Sequence, residues 1–314
     1  MNRRDFFKKS TAVAGAAGLS LLLDKTGLQA QAAVTAPSTE SAAAGAAPEL
    51  VAVTGGEPAE MFDKAIAALG GMERFVKKGQ TVLLKPNMAW NRPPEVGANT
   101  NPDLVRRVAE HCVKAGGKVY VMDHNIQGPA PETSGIKAAA EAGGATFVVG
   151  NDKSMYREVE NPKAKSRKKI MVHQMVMDCD VLINIPVLKN HGGAKLTMAL
   201  KNLMGCVYDR GSYHRDLDQS IVDFPFYRKP DLNILDAYRV VTKGGPSASR
   251  NYASIMPKML LVSPDIVAVD TAGEAQAVAW GIVKPGEAGH VGLAAREGLG
   301  EGDLKKVKIT KINI

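Results

Sequence analysis

Seven short apolar-rich runs, most of them without period-two alternation, do most to limit what this chain can fold into, at residues 50–53, 81–85, 118–123, 146–149, 181–185, 232–236 and 259–262. A strand with one wet face alternates between apolar and polar residues. Continuous runs therefore predict strands covered on both sides. Helical patterns fall between them, at 59–69, 102–115, 135–142, 194–204, 267–280 and 287–297. Pro102 after Asn101 is placed to open its helix, and Gly116-Gly117 to stop it. Strand-helix alternation of this kind predicts an α/β fold: a largely parallel mixed sheet with helices on both faces, three-layered and Rossmann-like. The run at 307–312 does alternate, which suits an edge strand.

Residues 1–32 read as an address outside the fold. Arg3-Arg4-Asp5-Phe6-Phe7-Lys8 is a twin-arginine export motif, and the apolar segment from Thr11 to Leu23 follows it. That segment is short for a membrane span and is broken by Gly15 and Gly18. Ala30-Gln31-Ala32 supplies the small-x-small pattern that a signal peptidase cuts. The expectation is an exported, periplasmic protein whose partner is the twin-arginine machinery and whose mature form has no membrane span. An uncleaved N-terminal anchor is the alternative. Residues 33–48, rich in Ala, Ser, Thr, Gly and Pro, read as a disordered linker. Residues 49–314 are enough for a single α/β domain, or for two packed lobes.

Without its first 32 residues the chain keeps 35 Lys and Arg against 30 Asp and Glu, a net charge of +5. The basic run from Lys163 to Lys169 has no interleaved aromatics for base stacking, so it reads as a solvated loop and no nucleic-acid partner is expected. The modest excess suits a small anionic ligand. Cys112, Cys179 and Cys206 are isolated and form no C-x-x-C pair, so the chain's own cysteines offer no iron-sulfur cluster. They read as buried apolar thiols.

Ligands of open parallel sheets bind beyond the carboxyl ends of the strands. Here those ends carry Lys85-Pro86-Asn87, Asp123-His124-Asn125, Asn184, Lys189-Asn190-His191-Gly192-Gly193 and Asp236. The segment from Asn184 to Gly205 reads as strand, Gly-Gly loop and amphipathic helix. Leu196, Ala199, Leu200, Leu203 and Met204 share one arc of that helix, and Lys195, Thr197, Lys201 and Asn202 the other. A helix start after two glycines would present free N–H groups to an anion. The candidate ligand-binding set is thus Lys85, Asn87, Asn184, Lys189, Gly192, Gly193, Lys195, Thr197, Lys201 and Asn202. His191, Asp123 and Lys85 are the catalytic candidates, through proton transfer and charge. Asp123, His191, Asp236 and Asp270 form a candidate divalent-metal set. No G-x-S-x-G, H-E-x-x-H, Walker or G-x-G-x-x-G pattern is present.

Taken together, Lys85-Pro86-Asn87, the upstream Lys189 and His191, Leu200-Lys201-Asn202-Leu203-Met204-Gly205, Asp236, Gly244-Gly245-Pro246 and Asp265 through Asp270 resemble the domain-of-unknown-function family 362. The resemblance implies an α/β domain and one shared site, without an established reaction. Some members are described as iron-sulfur proteins through ferredoxin-type cysteine clusters, which this chain lacks. The leading expectation is an exported enzyme acting on a small anion bearing phosphate or carboxylate, with or without a metal; its reaction is unknown. A non-catalytic module that holds a cofactor or metal for an exported redox partner is the alternative, and a purely structural interaction protein the third reading.

Overall fold

The structure, a computed structural model, describes residues 50–314; the twin-arginine motif and the linker lie outside the described residues. Elements follow in the order β1 (Leu50–Thr54), α1 (Pro58–Ala68), β2 (Thr81–Pro86), α2 (Pro102–Lys114), β3 (Lys118–Val121), α3 (Ala130–Thr133), α4 (Ile136–Ala142) and β4 (Thr146–Phe147). Next come β5 (Tyr156–Glu160), β6 (Lys169–His173), α5 (Gln174–Asp178), β7 (Val181–Ile185), β8 (Val187–His191), β9 (Lys195–Thr197), α6 (Ala199–Asn202) and α7 (Leu217–Tyr227). The chain closes with β10 (Leu232–Lys243), β11 (Ala253–Ile255), β12 (Met259–Ser263), α8 (Ile266–Ala279), α9 (Gly289–Arg296) and β13 (Ile309–Asn313).

One sheet of 11 strands runs β13-β1-β12-β10-β7-β2-β3-β4, with β8 and β11 also pairing with β10 and β9 pairing with β8. Neighbours from β10 to β4 are parallel, whereas β12 runs antiparallel to both β1 and β10. Alternate residues of the central strands feed two separate cores. Leu83 and Leu182 face one with α8, while Val82, Leu84, Val181 and Ile183 face the other with α1 and α2. Two covered faces explain the unbroken apolar runs, since each fully buried aliphatic side chain contributes about 1.5–3 kcal/mol. The three-layer α/β architecture is therefore as the runs predict. At α2 the caps also follow the sequence: the Asn101 side chain accepts from the Asp103 amide at 2.9 Å, and Gly116 adopts φ 88° beyond the last turn.

From β4 to β10 the order reverses between β2 and β7, because β3 and β4 extend the sheet one way from β2 while β10 extends it the other way from β7. This is the arrangement in which a crevice opens at the carboxyl ends of the reversal strands. Pro186 separates β7 from β8, and both halves pair with β10, at Asn233↔Asn184 and then Val241↔Lys189.

Of the helix expected at 194–204 only the second half is helical. His191 pairs with Lys195, and Lys189 with Thr197, in a β8–β9 hairpin; α6 follows and runs on into a 3-10 turn, Leu203–Cys206. Gly192-Gly193 serves as the hairpin turn, and Thr197 suits a strand. The β5–β6 hairpin and α7 are not among the elements that the sequence pattern predicts. The basic run between β5 and β6 is a tied turn, in which the buried Asp223 carboxylate accepts the amides of Lys165, Ser166 and Arg167 at 3.0, 2.7 and 2.6 Å. Among the described residues no helix is long and apolar enough to cross a membrane. All three cysteines are buried and free.

Candidate functional site

A cavity of 510 Å³ opens over the carboxyl ends of β2, β3 and β8, within the size range of small-molecule sites. Its walls carry Asn87, Asp123, Lys189, His191, Gly192, Gly193, Thr197, Lys201 and Asn202, all expected from the sequence. Trp90, Arg210, His214 and the Gly245-Pro246 turn complete them. Gly245 is required there because any Cβ would overlap the Asn190 carbonyl on β8.

Beneath the floor runs a line of buried amides. Asn184 on β7 donates to the side-chain oxygen of Asn233 at 3.1 Å and to the Ala199 carbonyl at 3.0 Å. Its own oxygen accepts from Asn202 at 2.9 Å, and Asn202 in turn accepts from Asn87 at 3.0 Å and from Lys85 at 3.3 Å. Asn202 also donates to the Lys85 carbonyl at 3.0 Å. Each buried polar group is matched by a neighbour, as burial demands.

Lys85 is fully buried behind the cavity wall and forms an ion pair with Asp123 at 2.7 Å. The second oxygen of Asp123 accepts the Met88 amide at 2.9 Å. Gly205 packs directly against this pair: a Cβ there would overlap Asp123 and stand 2.8 Å from the Lys85 ammonium. The last residue of the L-K-N-L-M-G block is thus a glycine for lack of room.

Lys189 is 1 % exposed and donates to two neutral oxygens, Asn87 Oδ1 at 3.0 Å and the Ala98 carbonyl. Burial, reinforced by Lys201, holds its amine well below the ordinary lysine value. Lys201 has no hydrogen-bond or ion-pair partner among the described residues, and burial with nearby Arg210 and Lys85 brings it down to about 8. Arg210 donates to the backbone carbonyls of His124 and Asn125, and burial lowers it as well. The cavity is therefore rich in cationic groups, while Asp123, its one acidic wall residue among those described, already faces Lys85.

Several expected roles change. His191 Nδ1 accepts the amides of Gly193 at 3.1 Å and Ala194 at 3.0 Å, which leaves any ring proton on Nε2. Burial and the neighbouring cations push the ring down to about 3, so it is a neutral hydrogen-bond donor and not a proton-carrying acid near neutrality. The same contact takes up the Gly193 amide that the sequence reading offered to an anion. Lys195 is exposed, adopts φ 64° at the end of the hairpin turn and is not on the cavity wall. At α6 the helix start does hold a negative group, but it is Asp270, whose carboxylate accepts the Ala199 and Leu200 amides at 2.7 and 2.9 Å.

The proposed metal set does not assemble. Asp236 is engaged by the amides of Asn101 and Tyr238 at 2.8 and 2.9 Å, and Asp270 by α6. Among the described residues no three His, Cys, Asp or Glu side chains are grouped to hold a metal ion. Trp90, Arg210 and Asn233 escaped the sequence reading. Trp90 lies in the loop that leaves β2 and could have been found there; Arg210 opens a six-residue 3-10 helix, Arg210–Arg215, too short to leave a periodic signal.

Residues 82–275 match the family model described as Domain of unknown function (DUF362). The chain belongs to this DUF362 family. A thylakoid-associated protein of Synechocystis sp. is 30% identical over 218 residues, which cover 64% of this chain and 64% of that relative, so the match spans somewhat under two thirds of the relative's length. Among solved structures, the lactate racemase apoprotein from Thermoanaerobacterium thermosaccharolyticum aligns with a TM-score of 0.38 and 12% identity, over 66% of this chain and 54% of that one. The DUF362 match contains every cavity residue named above, from Asn87 to Pro246.

Proposed function

We propose that this DUF362 protein is an exported enzyme that takes a small anionic substrate, bearing carboxylate or phosphate, into the cavity at the carboxyl ends of β2, β3 and β8. The observation that supports this most directly is the unpaired Lys201 beside Arg210, neither of which has a carboxylate of its own among the described residues. Like charges gathered without a counter-charge repel, and an anion between them relieves the repulsion. Lys201 and Arg210 bind the charge, His191 offers its Nε2–H, and the Lys85–Asp123 pair with the amide line holds the floor rigid. Export rests on Arg3 and Arg4, with the twin-arginine machinery as partner.

Thermal unfolding with inorganic phosphate and with lactate tests the reading. A ligand at a hundredfold excess over its Kd stabilises the folded state by about 2.7 kcal/mol. Because Lys201 titrates at about 8, stabilisation is strongest below that pH and falls as the pH rises through it. Lys201→Met keeps the volume, removes the charge and abolishes the shift. Absence of any anion-dependent shift, or a full shift in Lys201→Met, overturns the reading.

A further inference from the structure

Two lysines lie at the end of this site in different electrostatic settings. Lys85 stands 2.7 Å from a carboxylate, whereas the hydrogen-bond partners of Lys189 are neutral carbonyl oxygens, on Asn87 and Ala98. An uncharged amine has two N–H groups and one lone pair. Both N–H groups of such an amine are accounted for by those two oxygens, and the lone pair remains for whatever enters the cavity that Lys189 lines. Beyond burial, the Lys201 and Lys85 charges oppose a proton on Lys189, Lys201 the more strongly, while Asp123 favours one.

We propose that Lys189 is a nucleophile, and that its Nζ forms an imine with the carbonyl carbon of a small anion held in the cavity, a 2-oxo acid or a phosphorylated aldehyde. Resting on the anion-site reading above, this adds a carbonyl beside the anionic group. Nζ attacks the carbonyl carbon, and as the carbonyl oxygen takes up a proton the nitrogen gives one up, so that a neutral carbinolamine forms with no net change in protons. The hydroxyl then takes a second proton, the C–O bond breaks, water leaves as the nitrogen lone pair forms the C=N bond, and the remaining N–H proton is returned. Overall the two amine protons and the carbonyl oxygen leave as one water, with no oxidant or reductant required. Lys201, on the same cavity wall, is the group placed to supply and recover the proton. Desolvation of a lysine in a pocket beside another cation is the general route by which an amine becomes nucleophilic near neutral pH.

The test uses the full folded chain with pyruvate in one arm and glycolaldehyde phosphate in the other, each with sodium cyanoborohydride, followed by peptide mapping. An ordinary lysine is a free amine in only about one molecule in a thousand near neutral pH. Lys189 is expected to be reduced to a stable secondary amine at least about tenfold faster than any exposed lysine. The productive arm identifies carboxylate or phosphate as the anionic group, and Lys189→Met loses the fast adduct. Adducts spread over exposed lysines, with Lys189 unmodified in both arms, overturn the proposal. Phosphate-dependent thermal stabilisation is measured on the same preparation. A shift without an adduct rejects the imine and keeps the anion site, while neither signal rejects both.

Discussion

The side-chain nitrogen of Lys189 and the side-chain oxygen of Asn87 lie 3.0 Å apart although 102 residues separate them, and their contact joins β8 to the segment that leaves β2. Replacing that oxygen by a charged one changes the lysine without touching it. Asn87→Asp sets a carboxylate against Lys189, which raises an amine pKa by 1 to 3 units. Trapping of Lys189 by cyanoborohydride near neutral pH then slows by about tenfold or more. An unchanged trapping rate would show that the environment of this nitrogen has been misread.

Gly205→Ala is expected to be among the most damaging single-methyl additions in the site. Its Cβ overlaps Asp123 and crowds Lys85, so the buried ion pair must open. Disrupting such a pair costs about 3 kcal/mol or more. Urea unfolding measures the loss; a variant within about 0.5 kcal/mol of the parent would mean that the pair has room to shift.

Asp270 gives the protein a pH dependence opposite in sign to that of most acidic residues. Burial pushes its carboxyl up to about 7 despite the two α6 amides. An acid raised in the folded state stabilises that state fully below its unfolded value, near 3.9, and loses the contribution as pH rises through the folded value. Between about pH 4 and about pH 7 the loss from this group is on the order of 4 kcal/mol. Asp270→Asn flattens that slope in urea titrations, leaving the smaller share from Asp236, which burial raises to about 6. A slope unaltered by the substitution assigns the pH dependence elsewhere.

Export can be tested independently of the cavity. Exchanging Arg3 and Arg4 together for Lys keeps the charge and removes both guanidinium groups read by the twin-arginine receptor. Cell fractionation should then find unprocessed precursor in the cytoplasm. Normal accumulation of processed protein outside would refute the address.

The strands and the position of the cavity were legible because both depend on local pattern. Runs such as 81–85 and 181–185 are apolar on both faces, and the polar residues that follow them, Lys85 to Asn87 and Asn184 to Lys189, meet where the strand order reverses. The β8–β9 hairpin was not legible, since Leu196, Leu200 and Leu203 fit a helical arc while Leu196 and Met198 fit a strand equally well, and all four are buried. Only the pairing of His191 with Lys195 across the glycine turn decides between them. The roles of Asp236 and Asp270 lay further out of reach. Each accepts a backbone amide from far along the chain, 135 and 71 residues away, and no side-chain pattern marks an amide that needs an acceptor.

The amides beneath the cavity, from Asn87 through Asn202 and Asn184 to Asn233, all point one way, each giving its N–H to the next oxygen. Like dominoes in a row, none can turn over alone: reversing a single Asn would set oxygen against oxygen on one side and N–H against N–H on the other. The first oxygen of the line, on Asn87, accepts from Lys189. The polarity presented to an incoming molecule is therefore fixed as the chain folds, by contacts reaching back to β10. Little of it remains to be rearranged when a charge arrives, and a fixed array of dipoles of this kind lowers barriers that water, which must reorient, does not.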